Sequence, residues 1–149
     1  MPSSLTLSRT ELHALLPSQD ALDRLPLAVY YVDAVGMIVR YNRLAAELWG
    51  REPKCGDHKE LYCGAHKLYW ADGKSLPHSQ CPLAQALLDG TSQRNKQPII
   101  ERPDGTRRTA LVNAQPLRGA NGAILGAVNT LVDITEWSPF QRDAAKLSA

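Results

Sequence analysis

At 149 residues the chain has the length of one domain. Its composition, 44% hydrophobic, 21% charged and 6% aromatic, suits a single globular core large enough to fold without staples. A formal charge of +2, spread along the chain, gives no basic field for nucleic acid or an anionic membrane. Ten glycines and ten prolines are too few to suggest disorder. No apolar run approaches the ~18 residues that a membrane-spanning helix needs. The first residues, MPSSLTLSRTEL, lack the basic start and apolar core of a secretory signal. Three cysteines in such a chain read as reduced thiols or metal ligands rather than a disulfide framework. The expectation is a cytoplasmic protein of one domain, with neither nucleic acid nor membrane as partner.

The N-terminal segment is predicted to be helical. Ser8 with Glu11 three residues on is a capping-box pattern, and Leu12, Leu15 and Leu16 then share a face. Pro17 stops that helix, and Ser18 can cap a second short one carrying Ala21, Leu22 and Leu25. From Leu27 the period changes. Ala28–Val32 and Met37–Tyr41 are short runs rich in valine, isoleucine and tyrosine, joined by Asp33-Ala34-Val35-Gly36, which predicts a β-hairpin. Asn42 can cap a helix whose apolar face is Leu44, Ala45, Leu48 and Trp49, ended by Gly50.

Residues 51–80 read as irregular and hold three of the four histidines. Pro82 suits a first helical position, Leu83 to Leu88 supply an apolar face, and Gly90 is a stop. Three strands follow, roughly Gln97–Arg102, Thr106–Leu117 and Ile124–Ile134. Pro103-Asp104-Gly105 and Asn121-Gly122 supply their turns.

This order resembles the PAS sensor family over Leu25 to Trp137. The resemblance rests on Leu25-Pro26-Leu27-Ala28-Val29-Tyr30 leading to Asp33 and Gly36, and on Tyr41-Asn42 before a helix ending Leu48-Trp49-Gly50. Arg102-Pro103-Asp104-Gly105-Thr106 and Gly126 through Asp133-Ile134-Thr135-Glu136 extend it. It implies an α/β (α+β) PAS fold: a five-stranded antiparallel sheet, helices over one face and a small-molecule cavity between. Residues 1–24 would form an N-terminal helical extension, 25–137 the PAS domain, and 138–149 a C-terminal tail. The family binds haem, flavin, small metabolites or nothing, and it dimerises through N-terminal helices. Flavin is not expected, because the photosensor stretch Gly-x-Asn-Cys-Arg-Phe-Leu-Gln is absent. Only 13 residues follow Glu136, so a complete chain of this length would signal through another protein.

Three pairs, Cys55-x-x-His58, Cys63-x-x-His66 and His78-x-x-Cys81, have a spacing that lets both members reach one tetrahedral zinc ion. Cys63, His78 and Cys81, with His66 as a fourth ligand, are the metal candidates. Against them stands the reading of cysteine as a small buried hydrophobe. A haem iron would need an axial histidine, and His78 is the nearest candidate. For the cavity, strand alternation singles out Asn113, Asn129, Leu111 and Leu131, with Leu87 from the preceding helix. Asn113 and Asn129 interrupt apolar strands, and a buried amide needs a partner. If both point to one side, a ligand is favoured.

No catalytic glycine-serine elbow, phosphate loop or metalloprotease helix is present. A cysteine nucleophile at Cys63 or Cys81, beside His66 or His78, stays open on residue types alone. The function expected is a non-enzymatic sensor that binds a small ligand and acts through an unidentified signalling protein, as a homodimer paired through the N-terminal helix. The alternative is a metal- or redox-sensing variant using Cys63, His78 and Cys81.

Overall fold

The computed structural model describes residues 4–137; the tail expected over 138–149 lies outside the described residues. Helix α1 (Ser4–Leu15) runs four residues further upstream than Ser8, so Ser8 lies inside it rather than capping it. In α2 (Gln19–Asp23) Ser18 Oγ does accept the Ala21 amide. Strands β1 (Ala28–Asp33) and β2 (Ile38–Tyr41) form the expected hairpin. Its turn is fixed by Asp33 Oδ1, which accepts from the amides of Val35 and Met37, and by Gly36 at φ +94°.

Helix α3 (Arg43–Trp49) begins at Asn42 and ends at Gly50 in the left-handed region. A short strand β3 (Lys67–Tyr69), a 3-10 turn (His78–Gln80) and helix α4 (Pro82–Asp89) follow. Strands β4 (Gln93–Lys96), β5 (Ile99–Glu101), β6 (Arg107–Arg118) and β7 (Ile124–Asp133) complete the fold. Among the described residues no helix is long and apolar enough to cross a membrane.

The sheet is antiparallel, in the order β2-β1-β7-β6-β5-β3, with β4 also pairing β6. The architecture is the one expected, but the strands number seven rather than five. The strand read over 97–102 is β5, and β4 is an addition just upstream of it. Pro98 stands between them and has no N–H to give to a ladder. The other addition, β3, lies in the stretch read as irregular and pairs with β5 at the sheet's edge.

One face of the sheet carries the main core. Tyr30 and Val32 of β1, Val112 and Ala114 of β6, and Ala127 and Leu131 of β7 pack with Leu48 and Trp49 of α3 and Leu83, Ala86 and Leu87 of α4. Tyr30 and Tyr41 meet Trp49 edge-on, with ring centroids 5.1 and 5.5 Å apart. The opposite face is covered from the N-terminal end. Leu22 of α2 packs with Val29 and Val128, and α1 lies along β7 with Leu12 fully buried. Helices therefore stand on both faces of the sheet, α3 and α4 on one side and the N-terminal pair on the other.

Candidate functional site

The core face encloses a small cavity between the sheet, the start of α4 and the loop before β3. Tyr30 and Asn129 are cross-strand partners on β1 and β7, so alternation places both on the inner face. Leu131 and Val112 supply the next rung, Ile100 and Leu68 the far wall, and Cys63 and Cys81 the loop side. The enclosed space is about 10 Å³, close to what one water molecule requires.

The polar groups facing it form a chain. Tyr30 Oη donates to the carbonyl of Tyr62 at 2.8 Å and accepts from Asn129 Nδ2 at 3.2 Å. Because the tyrosine proton is committed to Tyr62, the amide must turn its NH₂ toward the ring, which fixes its orientation. Asn129 Oδ1 is then left buried with no hydrogen-bond partner, on a residue 3% exposed. Burial raises Tyr30 well above the ordinary tyrosine range, with Cys63 and Cys81 adding to the effect, so the hydroxyl stays protonated.

Of the residues singled out in the sequence, Asn129 and Leu131 line this cavity. Leu87 is buried in the same core beside it. Asn113 and Leu111 face the other way. In the register of β6 on β7, Asn113 stands opposite Thr130 and Leu111 opposite Val132, while Ala114 stands opposite Asn129. That offset of one residue sends the two asparagines to opposite faces. Asn113 Oδ1 instead accepts the amide of Asn95, a residue at φ +56°, and so pins β4 to the sheet.

The metal candidates do not converge. Cys63 and Cys81 turn inward, whereas His66 is exposed and His78 Nε2 is 2.7 Å from the Ala65 carbonyl. Among the described residues no three histidine, cysteine, aspartate or glutamate side chains are grouped to hold a metal ion. The spacing is right, but the loop between the pairs puts thiols on one side and imidazoles on the other. As packed, the cavity of about 10 Å³ is far smaller than a haem or flavin, and His78 lines a separate surface pocket rather than this space.

Burial favours the protonated form of both inner thiols. Burial pushes Cys63 up to about 11 and Cys81 up to about 12, Cys81 being raised further by its neighbour Cys63. A nucleophilic or redox-active cysteine needs the opposite shift. One thiol per folded chain, the exposed Cys55, is therefore expected to react promptly with a thiol reagent at pH 8. The other two should wait for the protein to open. Three prompt thiols would overturn this placement.

Two contributors were not singled out from the sequence. Tyr30 was legible, since it alternates with Ala28 and Val32. Arg51 was not: it donates to the Gly64 carbonyl at 2.7 Å and to Glu60 Oε2 at 2.9 Å, and nothing local in the sequence pairs those positions.

The family model described as "PAS fold" matches residues 22–138. The chain belongs to the PAS-fold family. Solved structures agree on the fold. An RNA-binding light-oxygen-voltage receptor superimposes with a TM-score of 0.58 at 17% identity, over 99% of this PAS chain and 40% of the receptor. The PAS domain of a Colwellia psychrerythraea protein gives 0.52 at 18% identity, over 78% of this chain and 93% of that one. The PAS domain of the fruit-fly ELK potassium channel gives 0.56 at 17%, over 78% and 93%. The chain thus spans well under half the length of the first of these. A comparison with curated proteins finds no significant match.

Proposed function

We propose that this PAS domain is a non-enzymatic cytoplasmic sensor that takes a small, neutral, hydrogen-bond-donating molecule at Asn129 and passes the occupied state to a protein partner. The observation that carries the reading is the unpartnered Asn129 Oδ1 in the internal cavity. A buried acceptor without a donor costs roughly 1–3 kcal/mol, a cost that a ligand's donor would offset. The ligand is neutral because no charged side chain lines the cavity and burial penalises charge. As packed, the space admits a molecule the size of water, and anything larger must displace part of the wall.

The test is a thermal-shift and calorimetric screen of small neutral amides, alcohols and ketols against the parent and Asn129→Leu. Binding by the parent that is lost in the variant supports the reading; equal binding by both overturns it. RNA belongs in the same screen, because one structural neighbour is described as RNA-binding. Retention of RNA would replace the proposed protein partner.

A second copy of the chain is part of the proposal. Leu12 and Leu22 are consumed by their own domain, but Leu15 is 54% and Leu25 is 40% exposed. These leave apolar surface at the N-terminal end for pairing. Leu15→Glu is expected to turn a dimer into a folded monomer by light scattering. Leu12→Glu should instead lower stability in either state, because it buries a carboxylate. A parent that is monomeric at high concentration excludes the pairing.

A further inference from the structure

The internal cavity lies directly beneath a surface pocket of about 530 Å³, lined by Arg51, Glu60, His66 and His78 among others. Among the described residues Cys63 alone lines both spaces. The wall between them is the stretch that carries Cys63.

That wall, Leu61 to Ala65, is not held by a regular ladder. Leu61 makes an isolated bridge with Met37, and the Tyr62 amide donates to the Gly36 carbonyl at 2.8 Å. Beyond them the stretch has neither helix nor strand. Tyr62 sits at φ +69°, in the left-handed region that residues other than glycine adopt only when their surroundings hold them there. The holding groups are side chains. From outside, Arg51 grips Glu60 and the Gly64 carbonyl, and His78 pairs with the Ala65 carbonyl. From inside, the Tyr30 hydroxyl donates to the Tyr62 carbonyl.

We propose that Leu61–Ala65 is the gate to the internal cavity, latched by Arg51 outside and by Tyr30 inside, so that occupancy at Asn129 and opening of the gate are coupled. A ligand that donates to Asn129 Oδ1 and accepts from Tyr30 Oη takes the tyrosine hydrogen away from the Tyr62 carbonyl. The left-handed Tyr62 then loses its short inner hydrogen bond and keeps only the 4.0 Å contact from the Cys81 thiol, and ligand and open gate favour one another reciprocally. The coupling rests on the cavity being the binding site. The gate itself is tested with a thiol reagent, so a failed ligand screen and a failed gate are separate results.

In a Cys55→Ser, Cys63→Ser background the remaining thiol, Cys81, lines the cavity and not the surface pocket. Its labelling by an aromatic disulfide is followed as a function of urea. Opening of a short wall exposes little surface and its rate depends weakly on urea, whereas global unfolding carries the full denaturant slope. The parent is expected to label at low urea with a weak slope. Arg51→Gln should raise that rate roughly tenfold, the scale of losing a charge-assisted hydrogen-bonded pair.

Arg102→Gln is the control. It removes a similar guanidinium-to-carbonyl contact, to Leu48 and Glu47 at 3.1 Å each, away from the wall. At matched unfolding free energy it should change the rate less than about twofold. If Arg51→Gln fails to fold, Glu60→Gln loosens the same clamp and should accelerate labelling in the same sense. Labelling only with the full unfolding slope, or equal acceleration by the Arg51 and Arg102 variants, overturns the gate.

Discussion

Replacing Asn42 with alanine is expected to remove about 4 kcal/mol of stability, the largest loss of any single side-chain truncation discussed for this domain. The side chain is buried and fully used. Its Oδ1 accepts from the amides of Val29 and Ala45, and its Nδ2 donates to the carbonyls of Leu22 and Leu27. It therefore caps α3, fixes the start of β1 and ties α2 to the sheet at once. Alanine leaves the amides of Val29 and Ala45 and the Leu27 carbonyl without that partner, while the Leu22 carbonyl keeps the Leu25 amide. Serine restores only the cap, worth about 1 kcal/mol, and should recover that fraction alone. Thermal unfolding with a midpoint lowered by roughly 10 °C or more is the expected readout for alanine. A loss below about 1.5 kcal/mol would show that the neighbouring backbone finds other partners.

The same residue shows how far the sequence could be read. Asn42 before an apolar helical face is a local signal, and the cap was predicted from it. The bonds to Leu22 and Leu27 span 20 and 15 residues, and no periodicity reports them. The hairpin, both long meander strands and the glycine stops were legible because turn chemistry and alternation are local. The break at Pro98 could have been read from the missing N–H, whereas β3 could not, because three residues at an edge carry no pattern. Alternation assigned faces correctly within β6, but it cannot say how one strand is registered on the next. That gap is what separated Asn113 from Asn129. Likewise, the Cys-x-x-His spacings were compatible with zinc only if the loop turned both members inward, and the chain turns the imidazoles out.

Asn129→Leu is expected to leave the domain as stable as the parent or to stabilise it by about 1 kcal/mol, while abolishing binding in the cavity. Leucine keeps the branched shape and heavy-atom count of asparagine, is somewhat bulkier, and joins Leu131, Val112 and Ile100 in an apolar wall. It removes an acceptor that has no donor, and replacing a half-satisfied buried polar group by an apolar one is neutral or favourable. Tyr30 keeps its own hydrogen bond to Tyr62, so nothing else is stranded as a donor. Tyr30→Phe should act with the opposite sign. It deprives Asn129 Nδ2 of its partner, leaves the Tyr62 carbonyl only the long contact from the Cys81 thiol, and should cost roughly 1–3 kcal/mol. Two members of one hydrogen bond would then move stability in opposite directions, which is expected only if one of them is held ready for something else. Sites that trade stability for binding behave in this way. Urea unfolding of both variants reads the signs directly. An Asn129→Leu protein destabilised by 1 kcal/mol or more would make the amide a structural brace for Tyr30 and remove the case for a ligand at this position.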